Sequence, residues 1–415
     1  MRVPSACRER SVLRAIDGGG IAHIGGISVN KARYAACIFL SLFIFAIINS
    51  TLGALLTRYI DHYALAESGK GVPVSMLNIG CIAALISSLW VMGRIHKPHL
   101  QWIASVATVL LLIPLGLPPT FAVFSTTFLL LGVAVGYTDT LASSSIADLY
   151  DGRRAVAMMC VLHAVFGIAG VACPLAFRAM MSAGLPWYRI YTVLMSAGVA
   201  MLTFIIPVSV MTARHTPVQS TDRQRITWAE VRSFFGKRSR LMMLCAIFFY
   251  GFYLSGITVW IDRYICVGLS DAGLGALSLS LFWLGLTLSR LLTPLLRVNP
   301  TVLIRWSCFA TAALVAAGVA TGSAPVMCGA GALAGLTSGA IIPLLMHIAC
   351  QQYKENTLMA STFLFLALYF SQSICPPLMG LIETAWGLTA VMMACPVTVC
   401  LCGGAAFFVE RADTA

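Results

Sequence analysis

Ten stretches of this 415-residue chain contain no Asp, Glu, Lys or Arg, and each is long enough to cross a lipid bilayer. A membrane-spanning helix needs about 20 mostly apolar residues. Two stretches are about twice that length, and each is interrupted by proline and glycine, in "PLGLPP" at 114–119 and "TGSAP" at 321–325. Such segments favour turns between helices. We therefore expect about twelve membrane-spanning helices. The stretches are residues 34–57, 71–93, 98–138, 155–177, 190–213, 241–261, 272–289, 306–353, 356–382 and 384–409.

The composition indicates an integral membrane protein. Hydrophobic residues make up 59% of the chain and charged residues only 10%, and the mean hydropathy is +0.89. A soluble domain has about 25% charged residues. The unbroken apolar runs also differ from the alternating pattern of barrel strands. The predicted fold class is an all-α membrane protein.

The basic residues predict how the helices are oriented. Of the 27 Lys and Arg residues, 22 fall in segments on the same side of the membrane as the N-terminus, and 5 fall on the other side. Basic loops remain in the cytoplasm, so both termini are predicted to be cytoplasmic in a multi-pass protein of the plasma or inner membrane. The net charge of +12 then reflects topology and contact with lipid headgroups, and we expect no nucleic-acid partner.

The N-terminal segment, residues 1–33, is predicted to be a flexible cytoplasmic tail. It contains basic residues and glycines but no continuous apolar stretch, so it does not resemble a signal peptide. The 14 cysteines are scattered without metal-ligand spacing. We expect no metal site and no cofactor, and interpret the cysteines as small buried residues.

The order of long and short apolar runs repeats after residue 213, and residue matches support a duplication. Gly132 and Gly136 match Gly331 and Gly335 at an offset of 199, and "ACPL" at 172–175 matches "ICPP" at 374–377 at an offset of 202. Arg94 and Arg290 match in the same way, each closing an apolar run. We predict two six-helix halves, residues 34–213 and 241–409, with a basic cytoplasmic linker at 214–240 and a C-terminal tail at 410–415.

Two parallel six-helix halves joined by a basic loop resemble the major facilitator superfamily. The resemblance implies a transporter with its substrate site between the halves, near the middle of the membrane. It also implies a gating motif after the second helix. Here "GRIHKPH" keeps Gly93, Arg94 and Lys97 but no acid. Arg94 and Arg290 are the gating candidates, and both also fit a simpler role as charged anchors at helix ends.

One acid lies deep in an apolar run. Asp139 is eight positions from the predicted cytoplasmic end of the fourth helix, roughly 12 Å at the helical rise, and His163 is nine positions into the fifth, roughly 13 Å. A charge at such depth costs on the order of 3 kcal/mol and normally faces a cavity or a partner. The two residues are predicted to form either a proton-carrying or substrate-binding site, or a structural ion pair between helices, and both are candidates for ion coupling. The matching positions in the second half, Ser338 and Phe365, carry no charge.

Three stretches are similar to the fucose–proton symporters and the related sodium-dependent glucose transporter-like branch. They are "GYTDTLASSSIADLY" at 136–150, "LHAVFGIAGVACPL" at 162–175 and "FFYGFYLSGITVWIDRY" at 248–264. This resemblance implies that Asp139 is the protonatable acid. The chain departs from the branch because it has no acid in the first helix or between Tyr250 and Trp260.

Polar and aromatic side chains at membrane depth are candidates for binding a hydroxylated solute. Amide groups hydrogen-bond hydroxyls, and aromatic rings stack on the apolar face of a sugar. For most of the aromatic residues, core or lipid packing is an equally good explanation. The substrate-binding candidates are Asn49, Asn78, Tyr250, Trp260, Trp283 and Gln372.

The sequence thus predicts a secondary transporter that moves a small hydroxylated solute, a sugar, by alternating access. Transport is either coupled to a proton, or to sodium, or facilitative. It is expected to act as a monomer in the lipid bilayer, and not as an enzyme. A drug or metabolite exporter of the same fold is the alternative. A transporter-like receptor is a third reading, disfavoured because the linker is too short for a signalling domain.

Overall fold

The computed structural model of the chain describes residues 21–24, 27–64, 72–91, 94–117, 119–215 and 227–410. Two short antiparallel strands, β1 and β2, precede fifteen helices. Part of the predicted flexible tail, residues 1–20 and 25–26, and the middle of the predicted linker, residues 216–226, lie outside the described residues. The elements are β1 (Ile21–Ile24), β2 (Ile27–Asn30), α1 (Lys31–Ala54), α2 (Leu56–Tyr63), α3 (Val72–Val91), α4 (Lys97–Leu110), α5 (Leu112–Leu115), α6 (Phe121–Leu149), α7 (Gly152–Ser182), α8 (Arg189–His215), α9 (Trp228–Gly236), α10 (Arg238–Arg263), α11 (Ala272–Leu292), α12 (Pro300–Thr321), α13 (Ala324–Ser338), α14 (Ile341–Gln352) and α15 (Thr357–Ala406).

The described helices provide twelve membrane crossings, as the charge-free runs predict. Ten helical segments are long and apolar enough to span a bilayer, and Val72–Ser88 is a shorter one. One of the ten, α15, has 50 residues, about 75 Å at the helical rise against a hydrocarbon core of about 30 Å. Gly387 interrupts it with φ 81° and ψ 175°, a conformation open mainly to glycine. The interruption divides α15 into the last two crossings.

Glycines bring pairs of helices into close contact at equivalent places in the two halves. A methyl group on Gly132 of α6 would collide with the carbonyl oxygen of Leu77 on α3. In the second half, a methyl group on Gly335 of α13 would collide with the carbonyl oxygen of Phe282 on α11. Both contacts need glycine because backbone lies directly against backbone. The duplication is therefore visible in the helix packing.

These contacts correct the register of the repeat. Gly132 is equivalent to Gly335, an offset of 203, and Gly136 to Gly339, because their β-carbons would meet matching backbone atoms. The offset of 199 inferred from sequence is one helical turn short. At the corrected offset the position equivalent to Asp139 is Ile342, and not Ser338.

The same correction changes the predicted match between Arg94 and Arg290. On α3 and α11 the equivalent glycines are Gly80 and Gly285, an offset of 205, which pairs Arg290 with Leu85. Arg290 is 3% exposed, inside the bundle, whereas Arg94 follows the end of α3 and is exposed. The two arginines are not repeat equivalents.

The chain ends and the linker define the two faces of the bundle. We call the end at which α8 finishes and α10 begins the linker side, and the opposite end the far side. The first half comprises α1–α8 and the second α10–α15. Between them, α9 begins with a reciprocal pair of hydrogen bonds between Thr227 and Glu230. This is a capping box, which satisfies free amides of the first turn.

Candidate functional site

Asp139 lies at the boundary between the two halves and is 4% exposed. Its Oδ2 accepts a hydrogen bond of 2.9 Å from the hydroxyl of Tyr369, on α15 of the second half. Its Oδ1 is buried and has no hydrogen-bond partner in the described part of the chain. A carboxyl group with one unmet oxygen is costly in a dry interior. The unpaired oxygen Oδ1 of Asp139 can therefore accept and hold a proton.

A third helix reaches this carboxyl group. Cys81 on α3 lies near Tyr369, and the backbone of Cys81 lies 2.9 Å from where a β-carbon on Gly136 would be. Gly136 thus lets α3 and α6 approach closely beside Asp139. Asn78 is partly buried three residues before Cys81, on the same face of α3. This predicted binding residue therefore lies one turn toward the far side from the carboxyl group.

His163 is also buried at the boundary between the halves, at 5% exposure. Its ring lies 6.4 Å, centroid to centroid, from the ring of Phe365 on α15, and its Nε2 has no partner among the described residues. Its backbone carbonyl accepts a hydrogen bond of 2.7 Å from Nη1 of Arg290. His163 thus contacts the second half through both its ring and its backbone.

The structure does not join Asp139 and His163 in an ion pair. In the described ranges, the ion pairs within 4 Å involve other residues. Instead, the two side chains contact successive turns of α15, because Asp139 meets Tyr369 and His163 packs near Phe365. The rings of Phe365 and Tyr369 are stacked at 6.1 Å. Among the described residues, this aromatic pair connects the side chains of Asp139 and His163.

Arg290 and Tyr250 bind backbone carbonyls at a break in the tenth crossing. That crossing changes from α13 to α14 at Gly339 and Ala340, so carbonyls at the end of α13 lack their usual helical partners. Tyr250 donates to the carbonyl of Ser338 at 2.9 Å, and Nε of Arg290 donates to that of Gly339 at 2.9 Å. Tyr250 is fully buried. In this conformation it supports the second half and has no surface for a ligand.

The remaining substrate-binding candidates differ in exposure. Trp260 is 9% exposed, and its indole Nε1 has no partner among the described residues. Trp283 is partly buried, and its ring lies about 3.7 Å from where a β-carbon on Gly170 would be, across the boundary between the halves. Gln372 is partly buried one turn after Tyr369, and Asn49 is exposed one turn after the buried Phe45. Along their helices, Gln372 and Asn49 therefore lie nearer the far side than Asp139.

A second set of contacts joins the halves at the linker-side surface. Lys97, at the start of α4, forms an ion pair with Asp148 and a 3.0 Å hydrogen bond to Oγ1 of Thr357. Thr357 in turn donates to Oδ1 of Asp148 at 2.7 Å. Farther out, Lys354 pairs with Asp151 at 3.4 Å. These contacts lie on the linker side, so that side is closed.

Deeper contacts continue this closure toward Asp139. The hydroxyls of Ser88 on α3 and Thr362 on α15 lie 3.2 Å apart. Thr287 on α11 lies directly against Gly167 on α7, where a β-carbon would collide with its hydroxyl. The two halves are therefore in contact from the linker-side surface to the level of Asp139.

Sequence reasoning missed Tyr369, Thr357 and Asp148 at these positions, and named Arg94 and Arg290 as the gating candidates. The structure places Arg94 on the surface, while Lys97 makes the contact between the halves. The sequence did contain a signal. The acids Asp148 and Asp151 and the bases Lys97 and Lys354 all lie at predicted linker-side ends of membrane-spanning helices. Which acid pairs with which lysine depends on how the two halves pack, and this packing cannot be read from the sequence.

Solved structures with a similar fold are distant from this chain in sequence. The FucP transporter in its outward conformation matches with a TM-score of 0.77 at 14% identity, over 91% of this chain and 99% of FucP. The proton:xylose symporter XylE bound to a glucose derivative has a TM-score of 0.71 at 13% identity, over 92% of this chain and 96% of XylE. The human organic anion transporter MFSD10 has a TM-score of 0.70 at 13% identity, over 92% and 99% of the two chains.

Sequence relatives are also distant. Protein TsgA of Escherichia coli is 22% identical over 249 residues, which cover 59% of this chain and 61% of TsgA. A TsgA homolog of Erwinia tasmaniensis is 25% identical over 156 residues, 37% of this chain and 40% of the homolog. The alignment thus spans less than two thirds of these relatives. No protein-family model matches the chain.

Proposed function

We propose that this membrane protein of the major facilitator fold is a secondary active transporter that moves a small hydroxylated solute, a sugar, in symport with protons. The observation that carries the proposal is the hydrogen bond between Asp139 and Tyr369. It places a protonatable group in direct contact with both halves of the molecule. The similarity in fold to FucP, described as a fucose:proton symporter, and to XylE, a proton:xylose symporter, supports it.

Alternating access requires the halves to separate on the linker side while they close on the far side. We propose that residues 34–213 and 241–409 are the two moving bodies, joined by the basic linker at 214–240. The contacts of Thr357 with Lys97 and Asp148 would then break as the linker side opens. FucP, which this structure resembles, was solved in an outward conformation, which supports assigning the closed linker side to the cytoplasm.

Protonation of Asp139 would act on this movement through Tyr369. A hydroxyl donates more strongly to a carboxylate than to a neutral carboxyl group. Loss of the charge therefore weakens a contact that holds the halves together at mid-depth. A ligand shifts a conformational equilibrium only through a difference in its interactions with the two states. A proton on Asp139 would interact differently with the open and closed states, because Tyr369, the partner of Asp139, belongs to the opposite half.

The solute would bind on the far side of Asp139, between Asn49 and Asn78 of the first half and Gln372 and Trp260 of the second. Trp260 offers an unpartnered indole N–H, and each amide offers both donors and acceptors. His163 and Arg290 lie deeper, at the closed part of the interface. We assign His163 to the ion-coupling site because its ring packs near Phe365, which lies one turn from Tyr369 on α15.

The orientation and assembly belong to the same proposal. Basic residues concentrated on the linker side favour a cytoplasmic location for that side and for both termini. The chain would act as a monomer, since the site lies within one copy. Sodium as the coupling ion remains an alternative to the proton, and a drug or metabolite exporter of the same fold is the alternative activity.

Transport by purified protein in liposomes tests the proposal. The solute is first found by measuring which members of a panel of sugars, polyols and their acids raise the melting temperature. Its radiolabelled form should then accumulate in the direction of an imposed proton gradient, and a sodium gradient alone should not drive it. Extrusion against the proton gradient in everted vesicles would support the exporter instead.

A further inference from the structure

A cavity of about 140 Å³ lies on the linker side, at a different place from the proposed solute site. It is enclosed by the start of α7 in the first half, and by the segment between α11 and α12 together with α14 in the second half. Because both halves line it, any group bound there would bridge them. Its lining includes the charged and polar residues Arg153, Arg297, Asn299 and His347.

Two arginines give the cavity a positive charge. Arg153 and Arg297 both line it and are exposed. Neither takes part in the ion pairs found among the described residues, and no carboxylate lines the cavity. The nearest acid in sequence is Asp151, whose side chain is 87% exposed and pairs with Lys354 at 3.4 Å. The charge of the two guanidinium groups is therefore not neutralised within the cavity.

Two helix N-termini also border the cavity. α7 has 31 residues, and its N-cap residue, Asp151, makes no side-chain hydrogen bond to the first turn. α12 has 22 residues and begins at Pro300, with Asn299 capping the amide of Thr301. Free amides and the helix dipole favour an anion at such positions. Of the two helix N-termini, the uncapped start of α7, with Gly152 and Arg153 in the cavity lining, is the stronger position for binding an anion.

His347 is an independent indication of a ligand. It is 3% exposed, lies on α14 and lines the cavity, and no hydrogen bond of its imidazole is found within the described ranges. Its ring nitrogens are not among the fully buried atoms without a partner, so the imidazole is open to cavity space. His347 also lines a neighbouring cavity that contains Asp148 and Lys354. An unpaired imidazole between these cavities can donate its N–H to an acceptor bound beside the two arginines.

We propose that this cavity is a binding site for a phosphate group, held by Arg153, Arg297 and the N–H of His347. Phosphate suits guanidinium groups because it accepts paired hydrogen bonds from them. A volume of about 140 Å³ equals that of roughly four or five waters, enough for a phosphate with its hydration. Since the first half supplies Arg153 and the second supplies the other two residues, a bound phosphate stabilises the closed linker side.

The phosphate can belong to a lipid headgroup or to a free ion. Exposed apolar residues beside the cavity favour a lipid, since Leu295 is 74% exposed and Leu296 51% where acyl chains would lie. The site is independent of the transported solute, so its test requires only the purified protein.

The experiment measures the melting temperature of detergent-solubilised, delipidated protein. One series receives inorganic phosphate, with sodium chloride at equal ionic strength as the control. A second series, in phosphate-free buffer, receives phosphatidylglycerol or an uncharged diacylglycerol. Stabilisation by phosphate identifies a free-ion site, and stabilisation by phosphatidylglycerol alone identifies a lipid site. Stabilisation by neither overturns the proposal.

Substitutions show whether the effect arises in this cavity. Arg153→Gln with Arg297→Gln should weaken the apparent affinity at least tenfold. Arg154→Gln removes the same charge from the adjacent exposed residue of α7, which does not line the cavity, and should leave the affinity within twofold. His347→Gln keeps a donor and should retain more affinity than His347→Leu. Equal losses in the Arg154 variant and the double variant would overturn the proposed site.

Discussion

Tyr369 donates a 2.9 Å hydrogen bond to Asp139 from the opposite half of the molecule. Most other hydrogen bonds of deep side chains in the described chain return to their own helix, as those of Thr138 and Thr140 do. The Asp139–Tyr369 bond instead joins α6 to α15. A change of charge on Asp139 is therefore transmitted directly to the interface between the halves.

Tyr369→Phe removes this bond and preserves the ring that stacks on Phe365. The remaining carboxyl group loses its one described partner, which costs about 1–3 kcal/mol. We expect the transport efficiency, kcat/KM, to fall roughly 5- to 150-fold. The matched control is Tyr137→Phe, because Tyr137 bonds Ser87 at 2.7 Å within the first half. An equal loss of transport efficiency in Tyr137→Phe would show that Tyr369 has no special role.

A double-mutant cycle distinguishes the two candidate partners of Asp139. Residues in contact show coupling of about 0.5–3 kcal/mol, and residues without shared partners are additive within about 0.5 kcal/mol. Asp139→Asn combined with Tyr369→Phe should therefore be non-additive in transport rate. Asp139→Asn combined with His163→Gln should be nearly additive. Strong coupling in the second cycle would restore the Asp139–His163 pair suggested by their similar depth.

The two lysines at the linker-side surface should differ in importance. The side chain of Lys97 is 14% exposed and contacts Asp148 and Thr357, whereas that of Lys354 is 66% exposed. Exposed pairs contribute about 0–1 kcal/mol. We expect Lys97→Gln to shift the population toward an open linker side much more than Lys354→Gln does.

Pulsed electron paramagnetic resonance can measure that shift. Spin labels on Ile95 and Leu296, exposed residues of opposite halves, should show a longer-distance population that grows in the Lys97 variant. An unchanged distribution, or a larger change with Lys354→Gln, would show that Lys97 does not hold the linker side closed.

Glycine substitutions test the helix packing. Gly335→Ala places a methyl group against the carbonyl of Phe282 and should lower the melting temperature. Gly329 is on the same helix, and a β-carbon added there would have nothing within 4 Å. Gly329→Ala should be neutral or stabilising by about 0.5–1 kcal/mol, the usual gain from replacing a helical glycine. Similar melting temperatures for the two variants would contradict the close approach of α11 and α13.

The sequence predicted the twelve crossings because charge and length alone decide what crosses a bilayer. It predicted the duplication but misplaced its register by one turn. Gly331, Gly335 and Gly339 are four residues apart, so a slip of one turn places glycine over glycine on the same helix face. Only the contacts with Leu77 and Phe282 select the correct alignment.

The site was predicted only in part, for a similar reason. Asp139 is conspicuous in sequence because a charge in an apolar run needs an explanation. Tyr369 is one of 12 tyrosines and acquires its role only when α15 packs against α6. Lys97 and Arg94 both carry a positive charge, and the position of Lys97 at the start of α4 brings it to Asp148.

The most direct test of coupling compares two modes of transport for Asp139→Asn in proteoliposomes. Uphill accumulation needs a proton to be carried, whereas exchange of labelled for unlabelled solute needs only binding and movement of the halves. The account predicts that Asp139→Asn abolishes accumulation driven by a proton gradient and retains measurable exchange. Accumulation at the wild-type level in this variant would contradict the account and leave Asp139 as a structural residue.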